Sequence, residues 1–282
     1  METVRGEQGS VATTPAGVAM DDLERTIEEA ARVLVGARYV VGLVGAGISV
    51  ESGIPPFRGA GGLWTKHGEP PMDGYTRFLD DPAKAWRDML ARRQTDDEFA
   101  RSIREAVPNA AHFALAQLET AGVLKHTITQ NIDNLHFDAG SRAVTEIHGN
   151  RTKVRCIGCG ERWRFDAIDL SQLPPMCARC GGIVKSDTVM FGEPIPQEAL
   201  AECYRQAERA DCMLIAGTSA AVVPAAWFPS IVSENGGSLI EVNIEPTPYS
   251  ATAAASIRAA AGEALPKLVE AVRRLRAEPS PG

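Results

Sequence analysis

The stretch Tyr39-Val40-Val41-Gly42-Leu43-Val44-Gly45-Ala46-Gly47 decides the architecture. It is apolar and β-branched with no polar residue at alternate positions, the pattern of a strand covered on both faces, and it runs straight into a turn of small residues. Ahead of it, DDLERTIEEAARVLVGAR (21–38) sets Leu23, Ile27, Ala30, Ala31, Val33 and Leu34 near one helical face behind an Asp21 or Asp22 cap. That helix should end near Gly36. Similar apolar runs recur at KHTITQN (125–131), CMLIAGTS (212–219) and SLIEVN (238–243), separated by the helix-compatible HFALAQLETAG and EALAECYRQAERA. Strands alternating with helices predict an α/β fold whose parallel sheet is covered by helices.

The chain has 282 residues, with 29 Lys+Arg against 36 Asp+Glu and a net charge of −7. No overall positive field exists to gather nucleic acid or an anionic membrane. A content of 44% hydrophobic and 23% charged residues excludes fibrous and largely unfolded classes. No apolar run approaches the roughly 20 residues that cross a bilayer. The start, METVRGEQGSVATTPAGVAM, lacks the apolar segment of a secretory signal and reads as a disordered leader. A cytoplasmic location is therefore expected.

Two stretches interrupt the alternation. The first, from about Pro56 to Val107, is polar and helical in composition; the second, from about Arg151 to Asp187, holds Cys156, Cys159, Cys177 and Cys180. Both are expected to form a smaller accessory domain on the sheet. The cysteines make two C-x-x-C knuckles separated by 17 residues, the spacing of a four-thiolate zinc site. Disulfides or a redox pair fit a reducing compartment and this paired spacing less well. Four sulfurs leave no open position, so the zinc should be structural and staple a ribbon that lacks a core of its own. Cys203 and Cys212 fall at helix and strand positions and read as buried small hydrophobes.

After the first strand, Gly45-Ala46-Gly47-Ile48-Ser49-Val50-Glu51-Ser52-Gly53 would let backbone N–H groups approach phosphates, or serve only as a turn. The third glycine of the dehydrogenase fingerprint would fall at Val50, so this is not that loop. The strand at 125–131 leads into Thr129-Gln130-Asn131-Ile132-Asp133-Asn134-Leu135-His136. Polar groups there sit where open α/β sheets bind ligands. Glu146-Ile147-His148-Gly149-Asn150 then abuts the cysteine module. A lone histidine is commonly structural, yet an imidazole titrating near pH 6.5 suits proton transfer.

Together these segments resemble the sirtuin family over about residues 21–275. The motifs run in the family's order: GAGISVESGIPPFRG (45–59), TQNIDNLH (129–136), HGN (148–150), the four cysteines, VMFGE (189–193), GTS (217–219) and VNIE (242–245). The resemblance implies NAD-dependent protein deacylation by a Rossmann-like domain with a smaller zinc-ribbon and helical domain. It divides the chain into a leader (1–20), a large domain (21–55, 108–150 and 188–275), a helical insertion (56–107), a ribbon module (151–187) and a tail (276–282).

By the same resemblance, NAD would be held by Gly45, Ala46, Gly47, Ser49, Phe57, Arg58 and Trp64 at the pyrophosphate and nicotinamide-ribose region, with Ser52 in a mobile loop. Gln130, Asn131, Ile132 and Asp133 would take the ribose and nicotinamide ends. Gly217, Thr218, Ser219, Asn243, Ile244, Glu245 and Ala261 would take the adenosine half. His148, Asn131 and Asp133 form the implied catalytic set. The acyl-lysine carbonyl would attack C1′ of the ribose as nicotinamide leaves; His148 would then act as general base through the ribose hydroxyls so that the 2′ oxygen attacks the imidate, and water would complete release of lysine and O-acyl-ADP-ribose.

Val189, Phe191, Gly192 and Glu193 resemble the strand that pairs with an extended acyl-lysine peptide. Lys185-Ser186 replaces the Arg-Pro pair common before it. Met89-Leu90-Ala91-Arg92 keeps the arginine but not the tyrosine of succinyl- and malonyl-selective relatives, whereas Ala60 resembles that branch. A neutral acyl group, acetyl above all, is expected. The alternatives are an ADP-ribosyltransferase or NAD glycohydrolase, which His148 and VMFGE disfavour, and a non-enzymatic zinc-ribbon binding module, which the charge disfavours.

Overall fold

The computed structural model describes residues 22–58, 61–95 and 98–277. The leader, Ala60 and residues 278–282 lie outside the described residues. The strands are β1 (Val40–Val44), β2 (Leu124–Thr129), β3 (Val144–Glu146), β4 (Lys153–Cys156), β5 (Arg162–Arg164), β6 (Val184–Ser186), β7 (Cys212–Ala216), β8 (Ser238–Val242) and β9 (Ala255–Ile257). The helices are α1 (Asp22–Gly36), α2 (Leu63–His67), α3 (Gly74–Asp80), α4 (Pro82–Gln94), α5 (Glu98–Glu105), α6 (Ala110–Thr120), α7 (Leu135–Asp138), α8 (Gln197–Arg209), α9 (Phe228–Glu234) and α10 (Ala261–Ala277).

Six strands form one parallel sheet in the order β3-β2-β1-β7-β8-β9. Counted along the chain within this sheet, the order is the 3-2-1-4-5-6 of a Rossmann fold, reversing between β1 and β7. Alternate residues of each strand feed two cores. Val40 and Val44, with Leu214 and Ala216, pack under α1, α6 and α10 through Leu34, Leu115 and Leu268. Val41 and Leu43, with Met213 and Ile215, face α8 and α9 through Cys203, Ala207, Phe228 and Val232. Both faces are covered, so the strand sequences carry no polar alternation. Cys203 and Cys212 are wholly buried, and burial pushes both thiols up to about 12.

The two interruptions share a third apolar cluster. Phe78 of α3 and Trp86 of α4 pack with Val154, Cys156 and Val184 of the antiparallel β5-β4-β6 sheet and with Cys177. Trp86 donates its indole N–H to the Val184 carbonyl at 2.7 Å, satisfying a buried ring that has no other outlet.

Four elements differ from sequence expectation. Strands β3 and β9 span three residues each, too short to carry a periodic signal, and pair at the two edges of the sheet. Helix α9 begins among prolines and aromatics rather than an amphipathic run. VMFGE is not a strand among the described residues: it passes through an extended segment into a turn at Phe191-Gly192, and its main-chain bonds to His148 and Tyr75 are single contacts rather than a ladder.

Candidate functional site

The register of the sheet assembles the motifs. Glu146, Thr129, Val44, Ala216, Val242 and Ile257 are mutual partners across all six strands, so the carboxyl ends finish on one row. Gly45, Gln130, Gly217 and Asn243 stand one residue past that row and His148 two. The main chain carries the ladder a step further: Gln130 N–H donates to Val44 O at 3.0 Å, Ile147 N–H to Thr129 O at 3.1 Å, and Gly217 N–H to Val242 O at 3.0 Å. This edge includes the β1/β7 switch point, where open α/β sheets form a ligand crevice.

At that switch point the turns after β1 and β7 touch backbone to backbone. Gly47 N–H donates to Gly217 O at 2.7 Å, and a Cβ on Gly47 would lie 2.7 Å from the Gly217 Cα. Gly217 itself has φ +59°, so neither turn accepts a side chain without shifting. Ala46 to Ser52 coil into a 3-10 helix. Ser52 is tied at its end, accepting the Asn109 side-chain N–H at 2.9 Å.

Ser49 is the hub of the polar cluster. Its hydroxyl donates to Asp133 Oδ2 at 2.7 Å and accepts from Asn131 Nδ2 at 3.1 Å, while Asn131 also donates to Gly45 O at 3.1 Å. Asp133 Oδ1 receives the Leu135 N–H at 3.0 Å. His112 stands 3.4 Å from the same hydroxyl through Nε2, and its Nδ1 accepts the Asn109 N–H at 3.3 Å. Burial lowers His112 to about 4 against the opposing pull of Asp133. Beside it, at 5.3 Å between ring centroids, His136 is brought down to about 3 by burial and by His112. Ala46, Ile54, Phe57, Ile103 and Ile132 close an apolar pocket over Ser49, Asn131 and Asp133.

His148 follows β3, half-buried, with Nδ1 donating to Gln130 O at 3.1 Å. That bond leaves Nε2 as the basic nitrogen. Burial lowers its pKa, partly offset by the carbonyl contact. Gln130 Nε2 in turn donates to Thr218 Oγ1 at 2.9 Å, and Asn243 Nδ2 to Thr218 O at 3.1 Å, linking the motifs of β2, β7 and β8. Ser219, Ile244 and Glu245 follow the same row and are exposed. Glu241 anchors the Asn243–Glu245 turn: its buried carboxylate, which burial alone would raise, is brought down to about 2 by bonds from Thr247, Ser256, Ser250 and Arg258. Ala261 is buried, and the next N–H, of Gly262, is taken by the Glu51 carboxylate at 2.6 Å.

The remaining residues form the cleft's other wall. Phe57 and Trp64 rings lie 5.1 Å apart, Trp64 and Phe191 5.6 Å, and the Arg58 guanidinium stacks over Trp64 at 4.4 Å while pairing with Glu69. Val189 N–H donates to His148 O at 2.9 Å, tying the VMFGE segment to the histidine. Phe191 O accepts from Tyr75 N–H, and Gly192 at φ +78° packs against Met72 O. Glu193 is turned inward: its carboxylate receives Met190 N–H at 2.8 Å, Arg155 at 2.6 Å and Lys185 at 2.9 Å. Lys185 is fully buried, and its ammonium reaches Ser186 O and Thr188 O as well, so every donor is used. Met89 packs in the third cluster, whereas Arg92 is exposed on α4.

The four cysteine sulfurs lie within 4.8 Å of one another, with closest pairs at 3.5 Å (Cys156–Cys180) and 3.7 Å (Cys159–Cys177). Zinc–sulfur bonds of about 2.3 Å in a tetrahedron require sulfurs about 3.8 Å apart, so the set fits one zinc ion. Its ends are fixed by tight turns, with Gly158 N–H directed at Cys156 Sγ and Gly182 N–H at Cys180 Sγ.

Sequence reasoning missed His112, Glu51, Ile103 and Arg151. His112 opens the HFALAQLETAG segment, and its helical spacing hides its polar contact. Ile103 and Arg151 fall in the interruptions, far along the chain from the residues they meet.

A Sir2 family model matches residues 45–224. The NAD-dependent protein deacylase of Thermococcus kodakarensis is 45% identical over 256 residues, covering 88% of this chain and 96% of that protein. A mutant Sir2 homologue solved as an ADP-ribose complex is 38% identical with a TM-score of 0.76, covering 93% of this chain and 100% of that one. A Sir2 structure with p53 peptide and NAD+ is 34% identical with a TM-score of 0.70, covering 86% and 97%. A Rossmann sheet with these motifs on its carboxyl edge, a four-cysteine ribbon and full-length likeness to such proteins place this chain in the Sir2 family.

Proposed function

We propose that this chain removes acyl groups from lysine side chains of proteins, consuming one NAD per turnover. The observation that carries the reading is the common row at the sheet's carboxyl edge, which delivers His148, the Asn131–Asp133–Ser49 cluster and the Gly47/Gly217 turns to one crevice. The crevice suits a dinucleotide: backbone turns that tolerate no Cβ for the phosphates, a polar cluster beneath an apolar pocket for the pyridine amide, and exposed Ser219, Ile244 and Glu245 for the adenosine end. NAD, when bound, supplies an electrophilic ribose carbon with nicotinamide as leaving group.

The chain's own residues do the rest. Asn131 and Asp133 orient the amide and ribose. His148, held by Gln130 O, presents Nε2 to take a proton from a ribose hydroxyl. The extended segment at Val189, which no strand of either sheet pairs with, is the candidate partner for an extended peptide, and Glu193 shapes the turn that follows from within rather than touching the peptide. Phe191 and Trp64 line the acyl-lysine approach with apolar rings, which favours neutral acyl groups such as acetyl. The ribbon zinc is structural.

Mass spectrometry of the products tests this reading. Acetyl-lysine peptide with NAD should yield free lysine, nicotinamide and O-acetyl-ADP-ribose, faster than succinyl-lysine peptide does. ADP-ribose added to protein, or no O-acetyl product, would contradict it.

A further inference from the structure

Arg151 stands outside every motif of the family resemblance, yet its donors reach both apolar walls of the pocket above Asp133. Its main-chain N–H donates to Ile132 O at 3.0 Å, and its guanidinium Nη1 donates to Ile103 O at 2.9 Å. Ile103 lies in the last turn of α5, where a carbonyl has no partner inside the helix and a cation is favoured. Arg151 O in turn accepts from Arg93 at 2.6 Å, and the Arg93 guanidinium stacks at 3.5 Å on Phe165, which follows β5 of the ribbon. One residue thus joins the polar turn after β2, the helical insertion and the zinc ribbon.

We propose that Arg151 is a positioning residue for the pyridine end of NAD, fixing the distance between Ile103 and Ile132 and so the width of the pocket that holds nicotinamide. The proposal rests on the deacylase reading above, which puts the pyridine ring in this pocket. The backbone bond to Ile132 survives any substitution but proline at this position, whereas the bond to Ile103 depends on the guanidinium. Replacement therefore frees one wall only. Ligands that fill the pocket lose affinity; ligands that stop short of it do not.

The test compares wild type with Arg151→Met, which keeps side-chain length without donors, and Arg151→Lys, which restores a charged donor. Calorimetry should show NAD binding weakened roughly five- to tenfold in Arg151→Met, as for loss of one charge-assisted hydrogen bond, with ADP-ribose binding unchanged. Nicotinamide inhibition should weaken by the same factor, the KM for peptide should hold, and Arg151→Lys should recover part of the loss. Equal weakening of NAD and ADP-ribose would mark a general structural role and overturn the proposal, as would unchanged NAD affinity. Failure of wild type to release nicotinamide with acylated peptide would sink the deacylase reading itself, a result separate from either.

Discussion

His148 donates its Nδ1–H to the main-chain carbonyl of Gln130 at 3.1 Å, and this contact decides which ring nitrogen can act as a base. Burial lowers the imidazole pKa below its usual 6.5. The neutral, base-competent form therefore persists as pH falls past 6.5, and the acid limb of the kcat profile should lie below that value. His148→Ala should reduce kcat at least 100-fold, the scale of general-base catalysis, with thermal stability little changed. A limb above pH 7 would place the proton acceptor elsewhere.

Gly149, next to the base, has φ +75°, and a Cβ there would run into the Asp187 carbonyl. Gly149→Ala combines a left-handed backbone with that clash, so it should cost about 2 kcal/mol or more in chemical denaturation. It should also lower kcat by shifting His148. Unchanged stability would show that the turn relaxes freely.

The ribbon's apolar cluster is small and depends on Cys156 and Cys177 being held in place. Removing zinc with a chelator, or Cys180→Ser, should lower Tm by several degrees and abolish turnover. Cys203→Ala should retain one zinc per chain, since that cysteine packs against Ala207 and Phe228 in another core. Metal analysis and a thermal scan decide this.

His136 is buried with both ring nitrogens unpartnered, and its pKa is about 3. A depressed histidine binds its proton more readily when unfolded, so stability falls as pH drops from about 6.5 toward 3. At pH 5 the cost from this one group is about 2 kcal/mol. His136→Phe removes this titration and keeps the ring, so it should make the fall of Tm between pH 7 and 5 shallower without abolishing it, since buried His112, lowered to about 4, contributes a decline of the same sign. An equally steep decline in the variant would assign the effect to other groups.

The central strands were legible because β1 and β7 are uniformly apolar, β8 is apolar but for Ser238 and Glu241, and all three end in glycine or polar turns. Strands β3 and β9 were not: three residues hold no periodicity, and their pairing is set by Thr129 and Val242 on neighbouring strands. The four cysteines were legible from their spacing, whereas the role expected of His148 came from the family resemblance. Ser49 was expected as a cofactor residue, but its place between Asp133, Asn131 and His112 depends on folding, since these partners lie 63 to 84 positions away. Glu51 at the start of α10 was hidden for the same reason, 211 positions from Gly262. The place of Lys185 is visible only in three dimensions, where its buried ammonium pairs with Glu193 alongside Arg155.

The most direct test of the whole account is stoichiometric. Purified protein, acetyl-lysine peptide and NAD are incubated together, and nicotinamide and free-lysine peptide are counted in the same samples. One nicotinamide should appear per lysine freed, with neither product formed when NAD or the acetyl group is left out. Nicotinamide released at the same rate without acylated peptide, or peptide deacetylated without NAD, would contradict it.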